Sequence, residues 1–139
     1  MSFEELEHTA DVLMRVRGAD LAELFAEAGR AMFHVMYGPP CEDKGVERRI
    51  EIEAENLESL LIDYLSELLF VTEVENTVFC TFDVDLRGGT RLSAVLRGGE
   101  PFDPPARHSA GALIKGISYF GLEIVKEEEG YVVEIIFDI

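Results

Sequence analysis

Tyr131-Val132-Val133-Glu134-Ile135-Ile136-Phe137-Asp138-Ile139 reads as a single β segment. By the two-residue period of a strand, Val133, Ile135, Phe137 and Ile139 share one face, and Val132, Glu134, Ile136 and Asp138 share the other. An acid on the same side as Ile136 and Val132 is out of keeping with its neighbours, unless it stands at an edge open to water. Working outward, Val12-Leu13-Met14-Arg15-Val16-Arg17 alternates in the same way near the other end, directly after His8-Thr9-Ala10-Asp11. If these two strands are neighbours, Asp11 meets Asp138 and the α-carboxylate that Ile139 carries as the last residue. Three anionic oxygens in one place call for a cation.

Between the two strands lies an orderly series. Asp20 with Glu23 three residues on is close to a capping box, and Leu21, Leu24, Phe25, Ala28, Met32 and Val35 follow at helical spacing. Gly38-Pro39-Pro40 ends that helix. Val46 to Glu55 alternates Ile50, Ile52 and Ala54 against Glu51, Glu53 and Glu55, a strand with one wet side. Asn56 caps a second helix whose stripe is Leu57, Leu60, Leu61, Tyr64, Leu65, Leu68 and Leu69, ending between Val71 and Asn76. Thr77 to Leu86 places Val78, Cys80, Phe82, Val84 and Leu86 on one face. Gly88-Gly89 signals a hairpin, and Thr90 to Arg97 returns with Leu92, Ala94 and Leu96 inward. Gly98-Gly99-Glu100-Pro101 breaks the chain into an irregular, proline-rich loop over 101–110. Strand pieces are expected over Ala112–Tyr119 and Leu122–Lys126, then an acidic turn at Glu127-Glu128-Glu129-Gly130. Strand, helix, strand, helix and several strands predict a two-layer α+β domain spanning 1–139, its mostly antiparallel sheet covered on one face by two amphipathic helices.

Composition narrows the function. The chain has 139 residues, 47% of them hydrophobic, enough for one domain with a full core. No apolar run reaches the ~20 residues of a membrane helix, and the acidic start is unlike a signal peptide, so a cytoplasmic protein is expected. Cys41 and Cys80 lack a CxxC spacing, so neither a disulfide framework nor a zinc site is expected, and Cys80 reads as a small core residue. A net charge of −16 repels nucleic acid and anionic membrane, so neither is expected to bind directly. No glycine-rich phosphate loop precedes a helix, and no GxSxG, HExxH or cysteine-centred motif is present.

Three places could carry chemistry. Asp11 either faces a ligand from the mouth of its strand or caps a turn, with His8 packed or solvated beside it. Asp138, Asp11 and the terminal oxygens of Ile139 suit Ca²⁺ best, with Mg²⁺ or Mn²⁺ as the other hard cations; water or a partner's group would complete the shell. Lys115, in Ala112-Leu113-Ile114-Lys115-Gly116-Ile117, either anchors an acidic group or snorkels to the sheet surface. His108 and Glu100 are loop residues that could line a functional edge.

These segments together resemble the archease family. The likeness runs through His8-Thr9-Ala10-Asp11, Leu21-Ala22-Glu23-Leu24-Phe25, Ala31-Met32-Phe33 and Leu60 to Leu69. It continues through Gly99-Glu100, His108, Ile114 to Tyr119 and Phe137-Asp138-Ile139, in the family's order over nearly the whole chain. One departure is visible: the family commonly reads Ala-x-Thr-Tyr-His after the lysine, and here Gly116-Ile117-Ser118-Tyr119-Phe120 keeps a hydroxyl but not the histidine. The resemblance implies a protein cofactor, not an enzyme, that activates the RtcB-type RNA ligase of tRNA splicing. It implies faster guanylylation of the ligase's active-site histidine, multiple turnover and wider nucleotide-triphosphate use. It carries the family's metal ligands onto Asp11, Asp138 and Ile139 and its important lysine onto Lys115. A general chaperone or modulator of nucleic-acid-processing proteins is the alternative; a small metal-dependent phosphohydrolase is a further one.

Overall fold

A computed structural model describes residues 2–6, 11–38, 43–101 and 114–139, apart from the side chains of 100 and 101. The elements run β1 (Ser2–Leu6), β2 (Val12–Gly18), α1 (Leu21–Tyr37), β3 (Val46–Glu53), α2 (Leu57–Glu75), β4 (Thr77–Arg87), β5 (Arg91–Pro101), β6 (Gly116–Ser118), β7 (Val125–Glu127) and β8 (Gly130–Asp138). The fold is α+β, and every strand pairing is antiparallel.

Both helices start where the sequence offers a cap. The Asp20 carboxylate accepts from the Glu23 amide at 2.8 Å, and the Glu23 side chain accepts from the Ala19 amide at 2.6 Å. Asn56 accepts from the Ser59 amide at 2.8 Å. Such a cap is worth about 1 kcal/mol. Gly38 closes α1 with φ of 79°, and Asn76 closes α2 in the left-handed region at 53°. The predicted stripes are the buried ones: Leu24, Phe25, Ala28 and Met32 on α1, and Leu60, Leu61, Tyr64, Leu65 and Leu68 on α2.

The strands divide into two sheets rather than one. The larger has the order β1-β2-β8-β6, with β7 also paired to β8; the smaller has the order β3-β5-β4. Met14, Val16, Val133, Ile135 and Phe137 face inward from the larger sheet, and Ile50, Phe82, Leu92, Ala94 and Leu96 from the smaller. α1 packs on β2 and β4, so it straddles the sheets, and α2 packs on β3, β4, β5 and β6. One apolar core therefore fills the space between the helix layer and both sheets, and among the described residues no helix packs on the opposite faces of the sheets.

Four local readings are corrected. First, a strand precedes β2: β1 pairs with it from Ser2–Arg17 to Leu6–Leu13. Its acids fit because Glu4 pairs with Arg15 and Arg17, each at 3.4 Å. Second, the alternation along β4 slips. The register shifts between Thr77 and Thr81, so Thr77 and Phe79 are buried before Phe82 takes over, and Val78 and Cys80 are only half-buried. Third, Gly98 does not break β5. It continues the strand, pairing with both Val46 and Phe79. The reason is close approach: a Cβ at Gly98 would lie 2.5 Å from the Val78 carbonyl oxygen. Fourth, Cys80 is disulfide-bonded, and no described cysteine is a free thiol. Cys41 lies outside the described residues, as do 102–113, which hold most of the proline-rich loop.

The two hairpin signals hold. Gly88 and Gly89 have φ of 63° and 72°, as a tight β-turn requires at both central positions. Glu128 and Glu129 form the turn between β7 and β8. The strand pieces around residue 120 are shorter than expected, three residues each in β6 and β7.

Candidate functional site

β8 lies between β2 and β6, and this sandwiching builds the site. Val12 pairs with Phe137. One step further along both strands stand Asp11 and Asp138. On the other side of β8, Gly116 pairs with Asp138, and the Lys115 amide donates to the Asp138 carbonyl at 2.7 Å. Two consecutive residues of the β6 edge thus address one residue of β8. Asp11, Lys115, Asp138 and Ile139 converge at one end of the larger sheet.

The alternation read from the sequence is the one observed. Val133, Ile135 and Phe137 are buried, Val132 and Ile136 are half-buried on the far face, and Asp138 is exposed. The Asp138 carboxylate leans over Gly116, where a Cβ would sit 4.0 Å from its Oδ2. Asp11 is half-buried; Lys115 and Ile139 are exposed. Among the described residues, neither Asp11 nor Asp138 has an ion-pair or hydrogen-bond partner for its side chain. Asp11 stands one residue before β2, so the register that ends at Val12–Phe137 brings it toward Asp138, and like charges brought close repel. Hard, acceptor-only oxygens in that arrangement suit a divalent cation such as Ca²⁺. No group of three His, Cys, Asp or Glu side chains converges among the described residues, so main-chain oxygens of Ile139 and outside ligands would have to complete a shell.

The acids elsewhere on this sheet differ in having partners. On the same face, Arg15 bonds Glu134 at 2.8 Å, and Arg17 reaches Glu127 at 3.5 Å. The hydrogen bonds that Arg15 donates to the Glu134 carboxylate push its guanidinium above its ordinary pKa. With Glu4, these pairs form a charged ladder beyond Leu13 and Ile136 that has one carboxylate in excess.

A second concavity, of about 130 Å³, lies between β1, α1 and β4, walled by Phe3, Phe33, His34, Phe79 and Phe82. It is an aromatic slot without an acid–base pair. His8 and His108 lie outside the described residues, and so does the Glu100 side chain. Gly116 was not foreseen as part of the site, although its place beside Lys115 was the available signal.

The profile of the archease protein family matches residues 3–139. The chain belongs to the archease family. It is similar to the archease of Methanosarcina mazei, 35% identical over 140 residues that span 99% of this chain and 95% of that one. The Pyrococcus furiosus archease is 37% identical over 131 residues, 92% of this chain and 91% of the other. An archease-like protein of Drosophila melanogaster is 37% identical over 149 residues, 100% of this chain and 91% of its own. Among solved structures, protein 1598 of Methanobacterium thermoautotrophicum superposes with a TM-score of 0.78 at 31% identity, over 99% of this chain and 98% of that one. A Thermotoga maritima structure named an archease and possible chaperone shares the fold, with a TM-score of 0.66 at 18% identity over 98% of this chain and 96% of its own. Among the described residues, no helix is long and apolar enough to cross a membrane.

Proposed function

We propose that this archease is a non-catalytic activator of an RtcB-type RNA ligase in cytoplasmic tRNA splicing. It promotes guanylylation of the ligase, allows multiple turnover and widens the choice of nucleotide triphosphate. The observation that carries the reading is that Asp11 and Asp138 stand one step beyond the Val12–Phe137 pair, without partners among the described residues, at the sheet end where Lys115 also lies.

In this reading Asp11, Asp138 and the main-chain oxygens of Ile139 hold a divalent metal, with Ca²⁺ first in order and Mg²⁺ or Mn²⁺ after it. When bound, the metal neutralises phosphate charge during nucleotidyl transfer. The chain's own residues do the rest. The two carboxylates present an anionic tip to the basic surface of the ligase, and a net charge of −16 steers that encounter while turning RNA away. Lys115, exposed beside Asp138, fixes the tip's orientation or contacts nucleotide phosphates, and His8 belongs to the same end of the chain.

The test is ligation by purified ligase with GTP and divalent metal, counted in turnovers with and without this protein. An activator converts a ligase stalled near one turnover into a multiple-turnover one and does nothing alone. Equal turnover counts in both arms refute the reading. A second reading, a chaperone-like adaptor, draws on the exposed aromatic pair Tyr119 and Phe120, 56% and 83% accessible. It predicts protection of unrelated clients from aggregation without any effect on ligation.

A further inference from the structure

The period that turns Asp11 and Asp138 away from the core turns Leu13 and Ile136 the same way. These two are opposite each other in register, and Leu6 of β1 lies opposite Leu13. Leu6, Leu13 and Ile136 therefore form an apolar row across three strands, one step behind the acid pair. Ser118 of β6 faces Ile136 and ends the row. The next row on the same face is the charged ladder of Glu4, Arg15 and Glu134. Both helices pack on the opposite side, so among the described residues no element covers the row.

We infer that this row seats a protein partner, whose own apolar patch sits on Leu6, Leu13 and Ile136 while basic groups beside that patch meet the acidic surface around the row. The inference rests on the ligase reading above and adds to it the surface that holds the two proteins together. An apolar centre between a charged ladder and an acidic edge has the layout of a protein interface, with its polar rim. Charge selects the occupant. The ladder sets Glu4, Glu127 and Glu134 against only Arg15 and Arg17, so the row's surroundings stay net acidic even with a divalent ion on Asp11 and Asp138. A second copy of this chain would bring the same −16 charge, and a nucleic acid would bring phosphates to an acidic edge. A basic protein surface matches both the apolar row and the acids.

The experiment is titration calorimetry with the purified ligase, using the full chain, the double variant Leu13→Thr/Ile136→Thr and the control Val95→Thr. Val95 sits on the solvent face of the smaller sheet, between Arg49 and Asp83. Threonine keeps the β preference of these positions and removes most of the apolar contact. The double variant is expected to bind the ligase at least tenfold more weakly, with its binding of Ca²⁺ alone unchanged; Val95→Thr is expected to bind normally. Because half-buried positions bear on folding, a second measurement uses the unaltered protein: its amide signals at Leu6, Leu13, Ser118 and Ile136 should broaden first as ligase is added. If the unaltered protein binds and activates the ligase while the double variant binds within twofold of it, the docking row is wrong and the functional reading stands. The same holds if the broadening falls on the Arg49 and Ser93 face. If the unaltered protein does not bind the ligase, both fail.

Discussion

Replacing Asp138 by Asn keeps the shape of the side chain and removes one of two opposed charges. Continuing the β2–β8 register one step past Val12–Phe137 puts the Cβ atoms of Asp11 and Asp138 roughly 5 Å apart. Coulomb repulsion at that distance is about 1 kcal/mol in water and about 3 kcal/mol at an effective dielectric of 20. Asp138 is exposed and Asp11 half-buried, which places the pair near the watery limit, at about 1 kcal/mol. In EDTA and low salt, Asp138→Asn should therefore raise the melting temperature by about 3 °C. At 1 M salt the screening length falls to about 3 Å and the gain should nearly vanish. Divalent metal should reverse the order. At a hundred times its dissociation constant, Ca²⁺ adds about 2.7 kcal/mol to the unaltered protein and little to the variant. Differential scanning calorimetry in the three buffers reads all of this. A variant that melts lower in EDTA, or that keeps the full metal-induced rise, refutes the opposed-carboxylate account.

Two further outcomes test the frame that holds the site. Gly18→Ala would put a Cβ 2.3 Å from the Leu24 amide nitrogen and 2.6 Å from its Cα, where β2 meets the first turn of α1. It should cost about 3 kcal/mol in urea unfolding, whereas Gly116→Ala, in ordinary contact with Asp138, should cost under about 0.5 kcal/mol. Tyr64 is buried, its hydroxyl has no partner among the described residues, and burial pushes its pKa well above the ordinary tyrosine range. A group whose pKa is raised on folding contributes stability that is whole below its unfolded pKa and is lost progressively as pH rises toward its folded pKa. Stability should thus fall as pH rises past about 10, by up to about 1.4 kcal/mol per pH unit. Tyr64→Phe should lack that part of the fall, and at pH 7 it should unfold no more easily than the parent, since no hydrogen bond is lost.

The helices were legible because each carries its own punctuation. Asp20 and Asn56 bond the amides that a cap must bond, and the leucine stripe of α2 has one period throughout. The placement of the two acids was legible for a similar reason: Asp138 ends an alternating run and Asp11 precedes one, so their faces follow from a count of two. What failed was non-local. Ser2-Phe3-Glu4-Glu5-Leu6 has no strand signature until Arg15 and Arg17 stand opposite its acid. The slip in β4 depends on a bulge whose cause lies across the sheet at Gly98, where the Val78 carbonyl comes close. The division into two sheets is a choice of strand partners that no single segment encodes. The bond at Cys80 left no sign in the sequence, which has no CxxC spacing.

The account stands on a divalent ion held by oxygen atoms at the end of β8. Titrating Mn²⁺ into isotope-labelled protein and reading paramagnetic broadening residue by residue tests it most directly. The amides of Asp11, Lys115, Gly116, Asp138 and Ile139 should vanish first, at metal far below the protein concentration, and Ca²⁺ should restore them. Uniform broadening, or loss that begins at Glu51 and Glu53 on the smaller sheet, would contradict the account.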